Sequence, residues 1–450
     1  MNRRTFIKTA TVGGAFLPVF AKLGAPAQSG EADVNVAVIG FGSAGQALAA
    51  GMIRMTGVRV RCVCDIWKFQ RQRAVAFFKS YGHGVEVYED YREMLDKEER
   101  NIDAVIVATP DWMHGEQVCA CLARGKHVYC ETPMAVTAEQ AAEMCRTARR
   151  TGRLLQIGLQ RRSNPQYRLA MEHLVPEVLL HVHEAQARWN RNGSPFFAVK
   201  RPPKQDLLSR YGYESVEQFL NWMWFPRYAR GPVMSFMPHQ TDLFCWAWRG
   251  GPVSVTALGG RDRFSPPRQN LDALTCLYEF AASTGPTGRA SQIFSHVERL
   301  PFWEESFSGM HDTLHLAETP SDGNFIRRGW GGTEAERGLR PSWKTFVDRG
   351  WVLPSRFEKE KGLISECHET DVAIGQLDAP LGPREGLKKG VLVYHLENFF
   401  SAIRGKELLN CPAEQAYVSF VVLLGAIRSA ERRETVRFRP EDFLVPEGNA

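Results

Sequence analysis

Two groups of residues have the types and spacing that chemistry needs. The first is Gly40-Phe41-Gly42-Ser43-Ala44-Gly45, read together with Asp65. It follows the β-branched, apolar run Val34 to Ile39 and leads into an Ala-rich segment reaching Met55, so the order is strand, glycine turn, helix. A pyrophosphate resting on the helix's first free N–H groups requires close backbone approach. A side chain at Gly40 or Gly42 would obstruct it, and Gly45 lets helix and strand pack tightly. A second apolar run, Val58 to Cys64, ends in Asp65. That carboxylate stands where the adenosine ribose hydroxyls would donate to it and where a 2′-phosphate would be repelled, which selects NAD over NADP. Glycines alone would also mark an ordinary turn; the flanking strand, helix and acid favour the dinucleotide.

The second group is His239 and Asp242, within Pro238-His239-Gln240-Thr241-Asp242. Proline suits a helix's first turn, which would put His239 and Asp242 on one helical face. Imidazole titrates near the working pH and can take and return the proton of a hydroxyl undergoing oxidation. Asp242 could then touch substrate hydroxyls or hold the imidazole in place. From spacing alone the plainer description is a satisfied histidine on an amphipathic helix, with a capping or solvated acid.

The elements that must position these groups alternate at first. After Asp65 come a strand near Val85 to Tyr88, a helix from Tyr91 to Lys97, and an apolar run from Ala104 to Ala108. Helix His114 to Arg124, strand His127 to Cys130, helix Thr137 to Thr151 and strand Leu154 to Ile157 follow. This alternation predicts a doubly wound parallel sheet over residues 32–158. Beyond Gly158 the alternation stops. Strands at His181 to Trp189, Val253 to Leu258, Ala273 to Phe280, Gln292 to His296 and His311 to Ala317 predict a mostly antiparallel, open sheet in a second α/β domain over 159–450. Trp303 to Lys389 reads in part as loop or lid. Val391 to Arg404 and Glu414 to Arg432 read as amphipathic helices expected to pack on the second sheet.

The 450 residues are 44% hydrophobic and 24% charged, an ordinary globular composition with room for two domains. Residues 1–27 are different: Arg3-Arg4 within Asn2 to Lys8, an apolar stretch from Thr9 to Phe20 and the small-residue site Ala25-Pro26-Ala27 resemble a twin-arginine export signal. The expected location is therefore periplasmic or otherwise exported. The apolar stretch falls short of the roughly 20 residues of a membrane span, and Pro18 interrupts it. Without Arg3, Arg4, Lys8 and Lys22 the 56 basic residues become 52 against 50 acidic ones, a balance of +2 that leaves no footprint for nucleic acid. The ten cysteines form no C-x-x-C pair and no metal-ligand spacing, so no metal is expected.

Several stretches together resemble the glucose-fructose oxidoreductase, inositol dehydrogenase and rhizopine catabolism (Gfo/Idh/MocA) family. They are Gly40 to Gly45, Thr109-Pro110 with His114, Gly125-Lys126-His127-Val128, Glu131-Thr132-Pro133, Pro238 to Asp242, and the helix from His395 to Arg404. The resemblance implies a Rossmann domain, a second domain whose open sheet forms contacts in a homo-oligomer, NAD as cofactor, and hydride exchange at a carbinol carbon of a sugar or cyclitol. It also strengthens the catalytic reading of His239 and Asp242. One position departs from the pattern. Where the family has Glu-Lys-Pro, with the lysine helping to move the hydroxyl proton, this chain has Thr132, whose hydroxyl can at most position or relay. The serine at 235 likewise stands where the family has an aspartate.

Thr109, Pro110 and His114 follow the fourth strand at the edge where ligands lie, and are expected to flank the cofactor's ribose and nicotinamide; Glu131 is expected near the same ribose. A strand-ending turn, a helix cap and an exposed loop acid are the structural alternatives. Arg162, Asn164 and Tyr167 are candidate substrate or cofactor contacts, or simply a helix entry around Pro165. The aromatic cluster of Trp222, Trp224, Phe225 and Tyr228 is a pocket wall or domain core. The function these readings imply is an exported NAD-dependent oxidoreductase acting on a sugar hydroxyl. The alternative is a redox-neutral NAD-dependent glycosidase working through a transient keto-sugar, and a third reading is a binding protein that keeps NAD without turnover.

Overall fold

The computed structural model describes residues 33–448 except 192–198, 200–201, 263–267, 282–286, 297–301, 311, 318–324, 329–345, 347, 354–370 and 375–388. The segment read as an export signal lies outside the described residues.

The N-terminal sheet is six-stranded and parallel. Its strands are β1 (Val34–Ile39), β2 (Val58–Cys64), β3 (Glu86–Tyr88), β4 (Ala104–Val107), β5 (His127–Cys130) and β6 (Leu155–Ile157), in the order β3-β2-β1-β4-β5-β6. The helices α1 (Ser43–Met52), α2 (Lys68–Ser80), α3 (Tyr91–Lys97), α4 (His114–Ala123) and α5 (Ala138–Thr151) return the chain between strands. The central strands β1 and β4 are near-continuous apolar runs because both faces are covered, and β4 is buried at all four positions. The order reverses between β1 and β4, and the carboxyl edge at that switch point is where such sheets bind ligands. Residues 40 and 109 both leave the sheet there.

The second sheet has ten strands. β7 (Glu184–Asn190) lies at its middle, flanked by β10 (Gly288–Ser295) and β11 (Phe302–Ser308). Beyond β10 come β9 (Ala273–Phe280), β8 (Ser254–Gly260) and β16 (Val436–Arg437). Beyond β11 come β12 (Asp312–Leu316), β13 (Phe325–Arg328), β15 (Asp371–Ile374) and β14 (Val352–Leu353). Among the described residues of this sheet, only β7 and β10 pair in parallel. Residues alternate inward and outward along β9 and β10, leaving Leu258, Leu277 and Ile293 exposed on one face.

One expectation changes, and another gains detail. The stretch 303–389, read in part as loop or lid, supplies most of β11 and all of β12, β13, β14 and β15 among its described residues. β11 hides from pattern reading because Glu305, a charged residue, takes one of its inward positions beside Phe307. The two late helices also part company. The helix α8 (Val391–Ile403) packs Leu396, Phe399 and Phe400 into the core around Val36, Val38 and Leu48 of the first domain, whereas α9 (Ala413–Arg432) covers the second sheet, with Ser429 Oγ accepting from the Ala257 amide at 2.9 Å. Both helices are amphipathic, and an apolar stripe does not specify its sheet.

Candidate functional site

The glycine turn has three distinct physical requirements. Gly40 sits at φ +91°, where a methyl would stand 2.5 Å from the Ala108 carbonyl oxygen, so the packing of the turn on the end of β4 already requires a glycine there. A methyl at Gly45 would run into the Gly40 carbonyl oxygen, which holds helix against turn. Gly42 is different, with an ordinary φ of −67° and open space where its Cβ would be. No side chain caps α1, so the first-turn amides of Ser43, Ala44 and Gly45 face the opening beside Gly42. That cradle fits a pyrophosphate. Gly42→Ala should therefore leave thermal stability within about 1 kcal/mol while weakening NAD binding at least about tenfold, measured by calorimetry. Unchanged affinity would show that the turn is not a cradle.

Asp65 closes one side of this opening. Its oxygens accept from the amides of Phe41 at 2.9 Å and Trp67 at 2.8 Å, and burial lifts the carboxyl to about 6. Each oxygen retains a second lone pair for a ribose hydroxyl. At the edge beyond β4, Thr109 Oγ1 donates to Gln117 Oε1 at 2.6 Å. Pro110 begins the turn that carries the chain into α4. His114 does not face the opening: its ring nitrogens lie 2.8 Å from the Pro133 and Thr109 carbonyl oxygens, tying the segments after β5 and β4 together. Burial keeps that ring neutral, so it donates to one carbonyl at a time. Glu131 accepts from the Thr132 amide at 3.2 Å and is pushed up to about 7 by burial. A methyl at Gly158 would stand 2.7 Å from its Oε2. Thr132 is half-buried in the same segment.

The chain after β6 builds the second half of the site. The helix α6 (Pro165–Leu169) starts with the Asn164 side chain accepting from the Gln166 amide at 2.9 Å, so Asn164 is a helix cap. Tyr167 donates its hydroxyl to Glu305 Oε2 at 2.7 Å, and Arg161, which the sequence reading did not single out, binds Oε1 of the same carboxylate at 2.7 Å. Arg162 grips Asp242 with two bonds, Nε to Oδ2 at 2.6 Å and Nη2 to Oδ1 at 2.9 Å, with both residues buried. Asp242 thus has its oxygens engaged by an arginine, and among the described residues no hydrogen bond joins it to His239. The expected contact residues Arg162 and Tyr167 hold the second domain's core together in this structure.

His239 lies on α7 (Pro238–Ala247), a helix whose first eight residues are all buried. Pro238 does open it. The imidazole is 8% exposed, its Nδ1 has no hydrogen-bond partner, and its ring centroid is 5.9 Å from that of Trp189. Burial, then the charges of Arg161, His395 and Arg191, depress it to about 3. A neutral imidazole is the state a proton acceptor needs. Trp189 meets Phe236 at 5.7 Å, and Phe236 stacks on His296, extending an aromatic wall away from His239. Trp224, Phe225 and Tyr228 form a separate small core with Leu208 and Tyr213. The signal for Trp189 and Phe236 was present in their flanking strand and helix, but alternation along β7 does not distinguish pocket from core. His395 is wholly buried, bonded to Ser163 Oγ at 2.6 Å and to the Ile157 carbonyl at 2.9 Å, and it pins α8 to the end of β6. Among the described residues no group of three or more His, Cys, Asp or Glu is arranged to hold a metal, and no helix is long and apolar enough to cross a membrane.

Residues 34–159 match the GFO_IDH_MocA family model, described as an oxidoreductase family with an NAD-binding Rossmann fold. The match spans the whole N-terminal sheet, which thus has the NAD-binding Rossmann fold that the model describes. Among curated proteins the chain is similar to inositol 2-dehydrogenase 2 of Saccharopolyspora erythraea, 36% identical over 140 residues, covering 30% of this chain and 38% of the relative. It is 32% identical over 157 residues to inositol 2-dehydrogenase of Paracoccus denitrificans, covering 34% of this chain and 45% of that one. The chain thus matches less than half the length of these relatives. Similarity of fold extends further. An NAD-binding oxidoreductase of Klebsiella pneumoniae aligns with a TM-score of 0.66 at 18% identity, covering 90% of this chain and 99% of that one. The WlbA dehydrogenase of Bordetella pertussis, solved with NADH and UDP-GlcNAcA, aligns at 0.64 and 15% identity, covering 91% and 98%. Both confirm a parallel six-stranded Rossmann sheet followed by a mostly antiparallel one.

Proposed function

We propose that this protein is an NAD-dependent oxidoreductase acting on a hydroxyl of a sugar or sugar derivative. The observation that carries the reading is His239, a neutral, buried imidazole with an unpartnered nitrogen on a helix that the Arg162–Asp242 pair anchors. NAD, when bound, accepts a hydride from the carbinol carbon. The chain's own residues do the rest. Amides beside Gly42 and the Asp65 carboxylate would hold the dinucleotide, with Thr109, Pro110 and Glu131 near its nicotinamide end. His239 would take the hydroxyl proton, and the aromatic wall would exclude water and stack on the sugar's C–H face. The inositol 2-dehydrogenases to which the chain is similar, and the WlbA dehydrogenase solved with UDP-GlcNAcA, support the substrate class. Arg3-Arg4 supports export by the twin-arginine route, and the exposed face of the second sheet supports a homo-oligomer.

The test is to offer the protein NAD with a panel of free sugars and glycosides, following nicotinamide absorbance and products together. Oxidised sugar in step with reduced nicotinamide is expected. Cleaved glycoside with no lasting change in NAD would establish the redox-neutral glycosidase instead. Thr132→Lys, which restores the family's usual base, should raise simple dehydrogenation by about tenfold or more if proton removal limits the rate. No rise would mean that His239 already suffices or that the pocket serves other chemistry.

A further inference from the structure

Among the described residues, one cation beside His239 has no counter-charge. Arg191 directly follows β7, and its amide donates to the Ser295 carbonyl at 2.8 Å, which fixes the start of the side chain. Its guanidinium carbon stands 3.8 Å from the Phe236 ring centroid and 5.6 Å from that of Trp189, the same indole that meets His239. Two other arginines of this neighbourhood are neutralised: Arg161 by Glu305 at 2.7 Å and Arg162 by Asp242 at 2.6 Å. Among the described residues no carboxylate pairs with Arg191 and no acceptor takes a hydrogen bond from its guanidinium. Stacking on an aromatic face uses the plane of the group and leaves its N–H edge, a fork matched to two oxygens, unengaged.

We propose that Arg191 receives an anionic group on the carbohydrate, so that the substrate is an acidic sugar derivative, carrying a carboxylate or a phosphate, rather than a neutral sugar. This rests on the oxidoreductase reading above and narrows its substrate class. Half-burial of a lone guanidinium disfavours its charge, and a ligand anion reverses that penalty. The same anion would offset one of the positive charges that depress His239, strengthening the imidazole as a base only when the correct substrate is present. Arg268, whose guanidinium carbon lies 4.2 Å from the Trp224 ring centroid, adds positive charge near His296, further along the same wall.

The experiment compares glucose, galactose and mannose with their uronates, the uronate methyl esters and the 6-phosphates. NAD-loaded wild type, Arg191→Gln and Arg191→Lys are assayed for turnover, with ligand binding measured separately by calorimetry. The expected result is that an acid form binds and turns over about 10- to 100-fold better than its neutral counterpart. Arg191→Gln should lose that preference without a change in NAD affinity, and Arg191→Lys should keep part of it. Preference for the uronate over the phosphate, or the reverse, identifies the anion. An acid form that binds no better than its neutral partner, or a preference that survives in Arg191→Gln, overturns the proposal. Because binding is read apart from turnover, an acid sugar that binds through Arg191 but never reduces NAD would sink the oxidoreductase reading and leave the anion site standing.

Discussion

Asp242→Ala is expected to destabilise the protein by about 3 to 5 kcal/mol, a larger effect than any loss of a substrate contact would have. Both oxygens of Asp242 are held by Arg162, both residues are buried, and the guanidinium also lies 4.8 Å from the Trp246 ring centroid. Removing the carboxylate leaves a buried, uncompensated guanidinium between the start of the second domain and α7. Attraction between the pair need not exceed the cost of burying it, so the double variant Arg162→Met with Asp242→Leu should recover most of the loss. Urea denaturation gives the comparison directly through the midpoint and slope. An Asp242→Ala midpoint close to wild type would mean that this carboxylate is free to serve the substrate, as its position beside His239 in the sequence first suggests.

The second large effect is kinetic. His239→Ala should lower kcat by about 10²- to 10⁴-fold while leaving NAD affinity within about twofold, because the imidazole faces the aromatic wall rather than the glycine turn. The depressed imidazole also has a signature in stability. Below about 6.5 the unfolded chain takes up a proton that the folded state refuses until about 3, so stability falls as pH drops through that window. His127 and His395, each held at about 4, add losses of the same sign. His239→Ala removes one contribution, and its pH dependence on the acid side should be shallower than that of wild type. An unchanged kcat in the alanine variant would remove the imidazole from the reaction.

How much of this was legible in the sequence depended on whether the physics was local. The glycine turn was readable because strand, turn and helix are contiguous, although the reason for Gly40 emerged only from the Ala108 carbonyl it packs against, 68 residues away. The helix with Pro238 at its first turn was readable for the same reason. The partners of Asp242, Tyr167 and Arg161 were not, since Arg162–Asp242 and Tyr167–Glu305 join residues 80 and 138 apart. Arg162, Asn164 and Tyr167, grouped around Pro165, looked like a binding loop, yet each is buried with a partner of its own, Asp242, the Gln166 amide and Glu305, because polar groups leave water only in company. Glu305 concealed β11 by putting the charged partner of Tyr167 and Arg161 at a core position. Arg191 escaped notice because nothing in the sequence marks an arginine that lacks a partner.

Hydride transfer is the claim on which everything else depends, and isotope tracing tests it most directly. A sugar found to turn over should be supplied with deuterium at each carbinol carbon in turn, and the nicotinamide examined by mass spectrometry at short reaction times. Deuterium is expected on the reduced nicotinamide from one carbon only, with transfer abolished or greatly slowed in His239→Ala. Turnover with no deuterium reaching the nicotinamide from any position would contradict hydride transfer.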